Sequence, residues 1–200
     1  MMAVFITGAA SCDLVNYVEY IQSSGTQFID TLFKPNNNTR VVMDMQGATT
    51  TSGVYMHYGT VSGSLNFMAG KASNGSWDLY AYYNTTYRKL AAKTVSDFVM
   101  RTVFDQNKNA ITVGGVSYTF AAASFSLSHT MYLFGVNSNG GTSFLSPIKL
   151  YSCQIYDNGT LVRDFWPCYD PDGVACLYDK VEKKYYHNAG TGEFIAGEAA

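Results

Sequence analysis

Apolar and polar side chains alternate with period two through most of this chain, and that pattern limits the fold more than any other feature. A strand sends successive side chains to opposite faces, so alternation marks a strand with one buried face. The clearest case is Trp77-Asp-Leu-Tyr-Ala-Tyr-Tyr83, which places Trp77, Leu79, Ala81 and Tyr83 on one face and Asp78, Tyr80 and Tyr82 on the other. Arg40–Gln46, Val54–Tyr58, Ser64–Met68, Asn109–Val113, Val116–Phe120 and Met131–Val136 read the same way, as do Pro147–Tyr156, Thr160–Trp166, Val174–Asp179 and Lys184–His187, with a short strand near Glu193–Ala196. Gly114-Gly115 and Asn158-Gly159 each separate two alternating runs and accept the positive φ angles of a tight hairpin turn. Asn137–Thr142 reads as a glycine-rich loop. Leu90–Met100 comes nearest to a helical period, but its Val, Thr and Phe content predicts a strand after a turn, with Phe98–Asp105 as that strand.

About a dozen short strands with turn signals between them predict an all-β fold of two antiparallel sheets packed face to face. No linker or internal repeat divides the chain, so one domain is expected. Composition agrees, since 47% of the 200 residues are hydrophobic and only 14% are charged, which suits a single well-packed core. The 16 Tyr and 12 Phe supply rings for strand surfaces and for recognition alike.

The net charge of −2 and the lack of clustered cations argue against a nucleic-acid partner. No stretch approaches the roughly 20 apolar residues of a membrane-spanning helix, so no membrane partner is expected. Met1–Asn16 has an apolar run but no basic residue before it, and reads as an arm that packs on its own domain or on a neighbouring subunit rather than as a signal peptide. Cys12, Cys153, Cys168 and Cys176 contain no C-x-x-C pair, so buried free thiols are a simpler reading than zinc, and a Cys168–Cys176 disulfide stays open.

Two motifs carry a family resemblance. One is Tyr17-Val-Glu-Tyr-Ile-Gln-Ser-Ser-Gly-Thr-Gln-Phe-Ile-Asp-Thr31. The other runs Ile148-Lys-Leu-Tyr-Ser-Cys-Gln-Ile-Tyr-Asp-Asn-Gly-Thr-Leu-Val-Arg-Asp-Phe165, continues through Pro167-Cys168, Gly173 and Leu177-Tyr-Asp179, and closes at Tyr186-His-Asn-Ala-Gly-Thr-Gly192. Together they resemble a concanavalin A-like, laminin-G-type domain of gut bacteria and their bacteriophages, over about residues 17 to 197. The resemblance implies a jelly-roll sandwich, here residues 17–200 after an arm of residues 1–16. It also implies membership of surface proteins or phage fibres, with ligands on the concave face or rim loops of related lectins, but it transfers no ligand residue.

The search for chemistry finds little. Glucanases of the resembling fold place E-x-D-x-x-E on one strand, because retaining hydrolysis needs paired carboxyls about 5 Å apart. The four glutamates here, Glu19, Glu182, Glu193 and Glu198, have no aspartate two residues on within a strand. There is no G-x-S-x-G elbow, and His57, His129 and His187 lack a nucleophile nearby in sequence. The expectation is a protein that is not an enzyme and needs no cofactor. Asp170-Pro-Asp172-Gly is a candidate calcium loop, with a turn as the simpler reading. Arg163 and Asp164 read as a surface or rim ion pair, and Asn188–Gly192 as a glycine turn.

Sugar binding asks for a flat ring beside amides or carboxylates. Asp78, Tyr80, Tyr82 and Asn84 share one strand face with Tyr87 nearby, and these five form the candidate ligand site. His57, Tyr58 and the loop Asn137–Thr142 are secondary candidates. The functional expectation is a phage virion component (fibre, receptor-binding or capsid-decoration protein) that adheres to a host surface glycan. It would join other virion proteins through its arm and act as a homo-oligomer. The alternative is a bacterial cell-surface carbohydrate-binding module, with a glycan hydrolase behind both.

Overall fold

The computed structural model describes residues 15–51, 53–71, 77–91 and 94–200. Two sheets carry nearly all of it and pack as a sandwich, as the alternation predicts. The larger, with 11 strands, runs Val116–Thr119, Ala110–Val113, Thr102–Asn107, Thr39–Gly47, Ile148–Asp157, Thr160–Tyr169, Ala175–Asp179 and Lys184–Tyr186, with the short strands Asn16–Tyr17, Ile21–Gln22 and Ile195–Ala196 beside that path. The smaller, with eight strands, runs Gly141–Ser143, Val136–Ser138, Tyr55–Ser62, Leu65–Lys71, Leu79–Asn84 and Thr86–Ala91, with Tyr132–Leu133 and Ile29–Asp30 attached. Both expected tight turns form: Asn158 and Gly159 have φ of 48° and 84°, and Gly114 and Gly115 have 57° and 81°.

The core lies between the sheets. Val41, Met43, Phe104, Ile111, Leu150, Ile155 and Phe165 of the larger sheet meet Tyr58, Phe67, Ala69, Ala81 and Tyr83 of the smaller. The sheets are also tied by polar bonds. Tyr58 Oη donates to Gln106 Oε1 at 2.8 Å, and Gln106 Nε2 donates to the Tyr82 carbonyl at 3.3 Å. Both Tyr58 and Gln106 are fully buried, and a buried polar pair satisfied in this way fixes the alignment of the sheets as well as their separation.

Three local expectations are corrected. Leu90–Met100 is not one strand: the strand Thr86–Ala91 ends, Val95–Phe98 makes a single helical turn, and the next strand starts at Thr102 rather than Phe98. The cause is a capping box, in which Thr94 N donates to Asp97 Oδ2 at 2.8 Å and Asp97 N donates to Thr94 Oγ1 at 3.3 Å. The turn drives the Phe98 ring into the end of the sandwich, where a side chain on Gly47 would lie 2.3 Å from it. Second, Asn137–Thr142 forms most of a hairpin of Val136–Ser138 and Gly141–Ser143. Val136–Ser138 pairs in parallel with Tyr55–Ser62, an exception to the antiparallel plan that the left-handed backbone of Phe134 (φ 65°) allows by reversing the chain. Third, Arg163 pairs with Asp179 (3.6 Å) and Glu182 (2.7 Å), not Asp164, and its side chain is only 12% exposed. Asp179 is fully buried, while Glu182, which accepts from Tyr186 Oη, is exposed, so the network runs from the interior out to the surface.

The two sequence motifs clasp one another. Asn188 Oδ1 accepts from the amides of Phe28 (3.2 Å) and Gly190 (2.8 Å), Gln27 Nε2 donates to the Glu193 carbonyl, and Thr26 Oγ1 donates to the Thr191 carbonyl. A side chain at Gly190 would strike the Thr26 carbonyl at 2.2 Å, so the turn must be glycine there for the clasp to close. Asn16–Tyr17 lies along Cys168–Tyr169, and Val18 bridges Ala199. Residues 1–14 of the expected arm lie outside the described residues, and Asn16 already belongs to the larger sheet. Cys153, Cys168 and Cys176 are buried free thiols; the sulfurs of Cys168 and Cys176 stand 3.6 Å apart.

A β-bulge shapes one further residue. Tyr55–Ser62 pairs Met56 with Gly70 and Tyr58 with Ala69, leaving His57 as the extra residue. A bulge turns consecutive side chains to one face, and His57 joins Tyr58 inside the sandwich against Phe98 and Phe104. Gly70 makes room, since a side chain there would lie 2.6 Å from the Met56 Cα and 2.8 Å from the His57 amide nitrogen. Burial lowers the His57 pKa to about 3. The folded value lies below the roughly 6.5 of an unfolded histidine, so the unfolded chain holds the proton more tightly. The stability supplied by the neutral ring is therefore complete above pH 6.5 and drains as pH falls toward 3. Urea titrations across that window should show the wild type losing stability relative to His57→Gln by roughly 1 kcal/mol per pH unit.

Candidate functional site

The strand Leu79–Asn84 lies one place in from the edge of the smaller sheet, between Leu65–Lys71 and the edge strand Thr86–Ala91. Leu79, Ala81 and Tyr83 are buried, whereas Asp78, Tyr80, Tyr82 and Asn84 on the opposite face are partly buried. The expected alternation is therefore present, with Trp77 also packed against the core beside Phe98. Asn84 adopts a left-handed backbone (φ 57°) that turns the chain into the edge strand.

That turn brings Tyr87 back over the candidate face. Tyr82 and Tyr87 are cross-strand partners. Their ring centroids are 5.6 Å apart at 31°, and the Tyr80 ring lies 6.1 Å from that of Tyr87. Tyr87 is 64% exposed. Tyr82 leans on a small outer cluster of Met56, Met68 and Val136, which fixes its ring without covering it. Burial, followed by the neighbouring Tyr87 and Tyr80, raises the Tyr82 pKa, so its hydroxyl stays protonated and can donate.

Asp78 is already engaged. Its Oδ2 lies 2.6 Å from Lys89 Nζ, with the carboxylate side chain 13% exposed and the lysine 49%. The Asp78 hydrogen bond raises the Lys89 pKa. The face thus combines three tyrosines with one paired acid and base at its end, and Lys89 is the member that sequence reasoning missed. Its alternation with Tyr87 on the Thr86–Ala91 strand was the available signal.

The secondary candidates fall elsewhere. His57 and Tyr58 are fully buried and cannot present themselves to a surface ligand. The Asn137–Thr142 loop belongs to the same sheet, two strands away from the strand of Tyr80 and Tyr82, and only its neighbour Val136 joins the cluster on which Tyr82 leans. In the candidate calcium loop, Asp170 Oδ1 accepts from the amides of Asp172 and Val174, and Oδ2 meets His187 Nε2 at 2.8 Å. The Val174 amide, then His187 and the Asp172 amide, lower the Asp170 pKa. Asp170 is accordingly a turn-forming residue, and among the described residues no group of three His, Cys, Asp or Glu is placed to hold a metal ion.

The fold and this face define a β-sandwich with a tyrosine-rich outer surface. Comparison with protein-family models and with curated proteins finds no match to this chain.

The hairpin of Leu79–Asn84 and Thr86–Ala91 offers its own control. Tyr83→Ala should cost about 3–5 kcal/mol by emptying a core site, while Tyr87→Ala should shift stability by no more than about 1 kcal/mol. Urea denaturation of the two variants measures both.

Proposed function

We propose that this chain is a non-enzymatic adhesion domain that binds glycan through Tyr80, Tyr82 and Tyr87, with Asp78 and Asn84 addressing hydroxyls at either end of the strip. One observation carries the reading: three tyrosines from two adjacent strands gather on the outer face of the smaller sheet, with Tyr82 among them packed against Met56, Met68 and Val136. Exposed rings give the C–H faces of a sugar a flat apolar partner, while phenol hydroxyls and the Asp78 carboxylate exchange hydrogen bonds with its hydroxyls. Because the rings are braced by the sheet, binding forfeits little side-chain freedom.

The setting we propose is a bacteriophage virion, as a fibre, receptor-binding or capsid-decoration protein. It rests on the resemblance of the two motifs to laminin-G-type domains. Attachment to other virion proteins through residues 1–16, and assembly as a homo-oligomer, belong to the same proposal. Two features support a binding role over catalysis: the absence of an E-x-D-x-x-E strand in the sequence, and the pairing of both Asp179 and Glu182 with Arg163.

A glycan array of bacterial surface polysaccharides tests the reading. Wild type should bind a subset, and Tyr82→Ala and Tyr87→Ala should each weaken binding by roughly tenfold or more, as expected for a ring worth about 1.5 kcal/mol. Equal binding by the variants would remove this face from the site.

A further inference from the structure

A second feature owes nothing to the tyrosine face. Thr39–Gly47 runs through the larger sheet between Thr102–Asn107 and Ile148–Asp157. Each of those neighbours ends in a tight turn beside the start of the middle strand. Lys108 (φ 54°) opens one turn, and its amide donates to the Thr39 carbonyl at 2.9 Å. Asn158 (φ 48°) opens the other, and its amide donates to the Asn38 carbonyl at 3.2 Å. A pocket of about 300 Å³ opens between the two turns, the size at which small-molecule sites begin. The cross-strand partners Arg40 and Tyr156 line it, with Asn107, Lys108 and Asn158 from the turns.

This wall holds two cations and no carboxylate. Arg40 donates from Nε and Nη2 to the two oxygens of Asp105, at 2.8 and 2.7 Å. That pair fixes and neutralises the guanidinium, and leaves Nη1 without a partner among the described residues. Lys108 is exposed and has no ion pair among the described residues. Asp157 follows Tyr156 on a strand and so points to the opposite face, where its Oδ1 accepts from Asn36 Nδ2 at 3.0 Å. One positive charge in the wall is therefore uncompensated, which suits a carboxylate better than a phosphate monoester carrying nearly two negative charges. The exposed side chains of Asn107 and Asn158 make no hydrogen bond among the described residues, so each keeps a donor and an acceptor for a hydroxyl. Tyr156 has no such freedom, since its hydroxyl donates to Gln154 Oε1 at 3.0 Å and its ring lies 5.3 Å from the Arg40 guanidinium carbon.

We infer that this pocket is a binding site for a small hydroxylated carboxylate of the sugar-acid class, its carboxylate on Arg40 and Lys108 and its hydroxyls on Asn107 and Asn158. Glucuronate is the probe, with glucose, which lacks the charge, and acetate, which lacks the hydroxyls, as controls. In nitrogen-15 NMR titrations of the full chain at pH 7 and low salt, glucuronate should shift the amides of residues 38–40, 107–109 and 156–159. It should bind about tenfold more tightly than glucose or acetate, as charge-assisted bonds joined to hydroxyl contacts imply. Lys108→Gln, a change at an exposed turn, should weaken glucuronate about fivefold, and molar salt should weaken the wild type similarly because the charges are open to solvent. No shift at these residues, equal binding of either control, tighter binding of glucose 6-phosphate, or an affinity that Lys108→Gln leaves intact would overturn the inference.

Discussion

A sheet with one buried face commits every second side chain to the interior, and the rest of this structure follows from how two such sheets interlock. Along Leu79–Asn84, burying Leu79, Ala81 and Tyr83 leaves Tyr80 and Tyr82 no choice but to face outward. A slip of one residue would invert the whole strand and expose its core face. The bond from the buried Gln106 Nε2 to the Tyr82 carbonyl makes such a slip costly, because the amide would lose its partner in the interior. The outward direction of the tyrosines is therefore set by the core, and contacts on the outer face then fix Tyr82.

The ends of the chain are held by the same economy. The first motif supplies Thr26, Gln27 and Phe28, the last supplies Asn188 to Gly192, and their bonds join segments more than 150 residues apart in sequence. Arg163, Asp179 and Glu182 then lock the long hairpin to the strand that follows it. The residues that make the motifs recognisable thus serve the scaffold, and the candidate face lies on strands between them. A family resemblance carried by such residues speaks to architecture far more than to ligand.

Much of this was legible in the sequence. Asn158-Gly159 and Gly114-Gly115 announced their turns, and Trp77–Tyr83 announced both of its faces, because positive φ angles and period two leave direct marks on residue choice. Other features left weaker marks. Thr94 and Asp97 form a capping box too short to show a helical period, so the turn at Val95–Phe98 was hidden inside an expected strand. The bulge at His57 shifts the register by one residue, which periodicity over a short run does not reveal, so His57 and Tyr58 read as surface candidates. Arg163 found Asp179 across the sheet rather than its neighbour Asp164, since partners on adjacent strands depend on register. Lys89 reached Asp78 for the same reason.

The central claim is that the sandwich exists to hold one outer tyrosine strip ready for a glycan. NMR titration of the labelled protein with oligosaccharides from a bacterial surface polysaccharide tests it most directly. The account predicts that the perturbed backbone amides and tyrosine rings fall within residues 78–89, with the larger sheet unchanged. Perturbation centred on the larger sheet, for instance around the exposed Trp166, or none with any polysaccharide tried, would contradict it.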